Sequence, residues 1–274
     1  MKNSHRGGFT LVELLIVTVL GALTLGVVYE TLIVQEKSFA AARGVMDDQE
    51  TLRTGLGILE SELREVGSIG GDAIGGTDFA TIDSDELRFR AQRKLGFICT
   101  LHNNEKWALV HSFGDPFVEG DGVLLFVEGN PDTGADDEWD DTVVTSAQED
   151  HDATCLDRWP GVPLQLLKLE TQDLTSVTAG SPIRGYEWVT YGLYDFGDLG
   201  WGLGRVQGDR RDYLVVGLAP PGRGLELSYY DDTDQPTSDP GQVARIEITL
   251  RTAPPGGSGV DTAVVNSTLY LRNN

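Results

Sequence analysis

The stretch "RGGFTLVELL", Arg6 to Leu15, sets an acidic side chain, Glu13, near the start of an apolar run. That run extends from Phe9 to Val34, and Leu14 to Tyr29 carries no charge at all. As a helix rising about 1.5 Å per residue, residues 9–34 cross the roughly 30 Å hydrocarbon layer of a bilayer. The short polar segment before it holds Lys2 and Arg6, so the positive-inside rule keeps the N-terminus cytoplasmic and exports the chain beyond residue 34. A cleaved secretory signal would have a shorter apolar core and a small-x-small site beyond it. Here the flank "VQEKSFAAARG" continues in helical pattern. A carboxylate inside such a helix costs about 2.5–3.5 kcal/mol on translocon scales. Glu13 therefore reads either as an interfacial charge relieved by snorkelling or as a charge kept for a partner.

The remainder of the chain bounds that partner. Of 274 residues, 43 are acidic and 21 basic, for a formal charge of −22. Such a surface is a poor match for nucleic acid, whose binding relies on Lys and Arg displacing counterions. With 40% hydrophobic residues the chain can bury a real core. Two cysteines, Cys99 and Cys155, permit one disulfide and are too few for a cysteine-rich zinc site.

Gly8 followed by Phe9-Thr10-Leu11-Val12-Glu13-Leu14 closely resembles the processing site of type IV prepilins and type II secretion pseudopilins. The resemblance covers the basic leader, the Gly before the cut, the Phe after it, the Glu fifth in the mature chain and the long apolar helix. It implies that a prepilin peptidase removes Met1–Gly8 and that the new Phe9 amine is methylated. It also implies that Glu13 pairs with the Phe9 amine of a neighbouring subunit in a filament. Glycine at position 8 suits a protease groove because it has no side chain and extends easily. No proline occurs before Pro116, whereas major pilins often carry one in the membrane half of this helix; the departure points to a minor subunit or pseudopilin.

Beyond the membrane half, Val45, Leu52, Leu56, Leu59, Leu63 and Val66 fall on one helical stripe, with Asp47, Asp48, Glu50, Arg53, Glu60 and Arg64 on the other side. This spacing predicts an amphipathic helix over 35–66 that packs on a globular part, weakened by about 1 kcal/mol at each of Gly55 and Gly57. After the glycine-rich "VGSIGGDAIGG", short alternating segments read as strands: 86–91, 97–101, 107–112, 122–128, 164–170, 186–194, 213–218, 224–230, 244–251 and 263–272. The expected architecture is α+β and pilin-like, one long N-terminal helix packed on mostly antiparallel sheet. Its parts are a leader at 1–8, a transmembrane and assembly helix at 9–34, an amphipathic helix at 35–66 and a β-rich periplasmic or extracellular domain at 67–274. "YEWVTYGLYD…LGWGLGRV", "LVVGLAPPGRGLELSYYDD" and "VARIEITLRT" are similar to the later parts of PilW-type minor pilins and J-type minor pseudopilins.

Two acidic segments stand out. Asp132, Asp136, Asp137, Glu138, Asp140 and Asp141 crowd into ten residues and could supply oxygen ligands to Ca2+, although their spacing does not fit an EF-hand and a run of like charge is commonly just solvated. Asp231, Asp232 and Asp234 form a second, sparser set. No other cofactor is expected. Cys99, in a strand pattern, and Cys155, in a loop, are either two buried thiols or a bridge; export favours the bridge, worth about 3–4 kcal/mol in the chain-entropy account. Neither a zinc-protease pattern, a nucleophile elbow nor a phosphate loop occurs, and His5, His102, His111 and His151 lie in no ligand pattern, so no enzyme is expected.

These readings converge on a structural subunit. It would be held in the inner membrane through one span, processed by prepilin peptidase, and joined to other pilins or pseudopilins by its N-terminal helix. From there it would pass to the periplasm or cell surface, priming assembly or sitting near a filament tip. The alternatives are the J-type pseudopilin of type II secretion, a calcium- or ligand-binding surface module, membrane-anchored or carried on the filament, and a membrane-anchored periplasmic protein that never polymerises.

Overall fold

The apolar stripe forms the buried edge of a single helix, α1 (Leu11–Leu63). The structure, a computed structural model, describes residues 10–64, 66, 78–102, 106–129, 137–170, 174, 177–253 and 263–271. Leu52, Leu56, Leu59 and Leu63 are buried, as the spacing requires, but packing begins only there: Val45 of the same stripe is half-buried and 35–44 are exposed, so the packed part is shorter than the expected 35–66. The helix ends at Leu63, short of the expected boundary at 66, with Arg64 as its C-cap. Gly55 is not a mere weak point. A Cβ there would fall 2.0 Å from Cγ2 of Val215, so the glycine lets the helix approach the sheet closely; Gly57 faces open space.

Among the described residues twelve strands come after α1, and their pairings are antiparallel. They are β1 (Phe79–Ile82), β2 (Glu86–His102), β3 (Trp107–Phe113), β4 (Gly122–Val127), β5 (Glu138–Glu149), β6 (Leu164–Leu169), β7 (Pro182–Asp195), β8 (Trp201–Gln207), β9 (Arg210–Leu218), β10 (Leu225–Tyr230), β11 (Arg245–Arg251) and β12 (Val264–Tyr270), with a one-turn helix, α2 (Ala153–Leu156), between β5 and β6. The expected α+β architecture is present, with local departures. Segments 86–91 and 97–101 are one 17-residue strand, β2. Half of the first acidic segment is strand β5, and Cys155 lies in α2, not in a loop. The short strand β1 is not among the expected segments.

The pairings also build a closed ring. β2 pairs with β3, β3 with β6, β6 with β5, β5 with β4, β4 with β7, and β7 again with β2. These six strands close on themselves, which removes free edges. Ile98, Val110, Val123, Leu125, Leu167 and Ile183 fill the interior. The long β2–β7 pair is shared. Its first half, Glu86–Gln92 against Tyr186–Gly192, joins β1, β8 and β9 in an open sheet; its second half, Lys94–Phe97 against Pro182–Gly185, belongs to the barrel. The register shifts between Gln92 and Lys94, so a bulge marks the passage from one to the other.

The open sheet turns Leu87, Phe89, Val189, Tyr191 and Leu203 onto the stripe of α1. The three-stranded sheet β10-β11-β12 contributes Leu227, Ile246, Ile248 and Leu269 to the same core. The barrel thus hangs from the helix-bearing sheet as an outgrowth between β2 and β7.

Candidate assembly helix and processing site

Among the described residues, the membrane half of α1 is left uncovered. Leu11, Leu15, Val19, Leu23, Val27 and Val34 are exposed, although the segment is long and apolar enough to cross a membrane. Three of its threonine hydroxyls are satisfied internally: Thr18, Thr24 and Thr31 donate to the carbonyls of Leu15, Gly21 and Val27 at 2.9, 2.9 and 2.8 Å. Polar atoms bonded back to the helix are compatible with an apolar environment.

At its start sits a reciprocal cap. Thr10 accepts from the Glu13 N–H at 3.3 Å, while the Glu13 carboxylate accepts from both the Thr10 N–H and the Thr10 hydroxyl at 2.9 Å. This is a capping box. Within the single chain the Glu13 carboxylate therefore has local donors, which lowers the penalty the sequence alone suggests. Phe9, Gly8 and the rest of the leader lie outside the described residues.

Residues 3–29 match the family model described as the prokaryotic N-terminal methylation motif. The chain carries the methylation motif typical of type IV pilin-like prepilins. No curated protein and no solved structure matches the chain. The pilin-like motif, the exposed helix and the α1-on-sheet packing agree: one end of α1 is built into the globular part and the other is left bare for lipid or for other helices.

The remaining candidates sit elsewhere. Asp132 and Asp136 lie outside the described residues. Asp137 accepts from the Gly129 N–H at 3.2 Å. Glu138, Asp140 and Asp141 belong to β5, whose period of two turns Asp140 and Asp141 to opposite faces. Asp141 lies 3.4 Å from Arg90 and accepts from the Tyr186 hydroxyl at 2.7 Å. Asp231 closes a turn by accepting from the Thr233 and Gln235 N–H groups at 2.9 and 2.8 Å, which holds its carboxyl below the usual range, the Gln235 bond contributing most. Asp234 bonds Arg245 at 2.8 Å. Among the described residues no group of three or more His, Cys, Asp or Glu side chains converges to hold a metal ion.

Cys99 and Cys155 form a disulfide. It ties α2 to the outside of the barrel, packed with Leu109 and Leu164. His111 is fully buried beneath this strap, its Nε2 3.0 Å from the Cys155 carbonyl and its ring 4.9 Å from that of Trp159. Its role is packing under α2.

Proposed function

We propose that this chain is a minor pilin-like subunit, cleaved between Gly8 and Phe9, methylated on Phe9, and assembled through residues 9–34 into a type IV pilus or pseudopilus. The observation that carries the reading is the bare apolar half of α1 joined to the methylation motif. A helix that packs only its last turns, Leu52–Leu63, on a sheet and leaves the rest uncovered is suited to a bundle of like helices once it leaves the bilayer. Pilin-like chains of this kind are structural subunits, and the work assigned to this one is packing, not turnover.

The reading includes an inner-membrane precursor with a cytoplasmic N-terminus and an exported globular part. The disulfide supports export, since such bonds persist in oxidising compartments. A barrel-bearing domain between β2 and β7 adds bulk to the outer surface of any filament, which suits a subunit near a tip or priming complex, in a pilus or in the J-type position of a secretion pseudopilus.

The capping box allows a clean test. Glu13→Gln keeps an acceptor for Thr10 but removes the charge; Thr10→Ala removes the hydroxyl but keeps the charge. Loss of filament incorporation in Glu13→Gln, with incorporation retained in Thr10→Ala, supports pairing with a neighbour's amine. Unchanged incorporation in Glu13→Gln overturns it. Mass spectrometry of the mature N-terminus should begin at methylated Phe9.

A further inference from the structure

A groove of about 950 Å3 runs across the face of the open sheet turned away from α1. Its floor is β7, where Tyr186, Trp188 and Thr190 alternate with Val189 and Tyr191, which face the helix. Glu86 and Arg88 of β2 and the turn at Glu119 form its sides. The aromatic floor is held rigidly. The Tyr186 ring lies across Gly122 so closely that a Cβ there would fall 2.5 Å from it. Its hydroxyl donates to Asp141, and its edge meets Trp188 with ring centroids 6.1 Å apart. Against both rings lies Arg90, 5% exposed, with its guanidinium 5.1 Å from one centroid and 5.3 Å from the other. Its Nε has no hydrogen-bond partner among the described residues. Burying a guanidinium this way is costly unless the faces it supports and the nearby Asp141 compensate it. Trp188 is half-buried, and the guanidinium of exposed Arg88 also lies over its ring, 5.3 Å from the centroid.

We infer that this groove binds a neutral oligosaccharide, stacked on Trp188 and hydrogen-bonded through Arg88, Glu86 and Glu119. Exposed Arg88 covers the indole in the free protein; swung outward, it leaves the ring's electron-rich face to the C–H face of a sugar ring, with buried Arg90 holding the indole in place. Carboxylates and a guanidinium beside it accept from and donate to vicinal hydroxyls in pairs. Charge excludes the polyanions. Asp121 is neutralised by Lys94 at 2.6 Å, which leaves Glu86, Glu119 and Glu187 (itself 3.8 Å from Arg93) against Arg88 in a chain of net charge −22. Nucleic acid and acidic glycans are repelled. Topology disfavours an extended peptide, because β7 is paired on both sides and offers no free edge to a further strand.

The test uses the full chain in detergent micelles, titrated calorimetrically with maltohexaose, cellohexaose and chitohexaose, and with heparin, a thymidine oligonucleotide and oligolysine as competing classes. Saturable binding of at least one neutral hexasaccharide is expected. Trp188→Ala should weaken it about tenfold or more, and the exposed-site variants Glu119→Gln and Arg88→Ala should weaken it while leaving the far-ultraviolet spectrum unchanged. Binding to none of the three sugars overturns the inference, as does binding that all three variants leave intact, or binding confined to heparin, the oligonucleotide or oligolysine. Glu13→Gln should bind sugar normally, so failure of the assembly reading and failure of this one are separable.

Discussion

Arg93 reaches from the bulge of β2 to the last turn of α1, its Nη2 2.6 Å from Oε1 of Glu62. The other Glu62 oxygen, Oε2, accepts from the Tyr191 hydroxyl of β7 at 2.7 Å, and Nε of Arg205 in β8 lies 3.5 Å from Oε1. One carboxylate thus joins the helix to three strands at the place where sheet becomes barrel. A negative charge near a helix C-terminus is unfavourable by itself. The two guanidinium groups reverse that.

Removing this carboxylate strands its donors. Glu62→Ala should destabilise the globular part by about 2–3 kcal/mol, since partly buried cations and a phenol lose their acceptor. Glu62→Gln, which keeps an acceptor, should cost less. Equilibrium urea denaturation followed by tryptophan fluorescence measures both; equal effects would show that the charge is irrelevant.

The two glycines near the packed end of α1, Gly55 on the sheet side and Gly57 on the open side, should respond with opposite sign. Gly55→Ala must push Val215 aside and should cost about 1–3 kcal/mol. Gly57→Ala meets nothing and should stabilise by about 0.5–1 kcal/mol through helix propensity. The same denaturation experiment distinguishes them.

Opening the disulfide should act locally and globally. For a sequence separation of 56, the chain-entropy account gives a loss of about 4 kcal/mol. Hydrogen exchange after reduction should rise first at 150–160, where α2 and Trp159 cover His111, before it rises in β7. Uniform acceleration across the chain would contradict a local strap.

Alkaline pH should unfold the domain through its phenols. Burial, reinforced by the bond to Glu86, pushes Tyr194 up to about 12. Burial likewise raises Tyr186, Tyr191 and Tyr229 above the ordinary phenol range. The unfolded chain releases these protons near pH 10, so it binds fewer protons than the folded chain above that pH. Their contribution is complete below pH 10 and is lost as pH rises through the folded values. Phenolate absorbance and unfolding should therefore rise together above pH 10; full ionisation at pH 10–11 without unfolding would contradict the burial.

What sequence alone determined is local. Gly8, Phe9 and Glu13 stand within six residues, and the stripe from Leu52 to Leu63 repeats every three or four, so both are written in short-range order. Most strands also announce themselves by alternation. β2 did not, because a strand that passes from an open sheet into a barrel changes which face is buried, and Arg93 interrupts the period at that step. β5 was concealed because its outward positions are acidic, and density of charge reads as loop. The closure of the six-stranded ring, the Glu62 cluster, and the platform of Arg90, Tyr186 and Trp188 were decided by tertiary structure. Each depends on pairing β2 with β7 across about ninety residues of chain. Pairing over that distance is selected by the fit of whole faces after collapse, and a linear window of residues contains no record of which faces will meet.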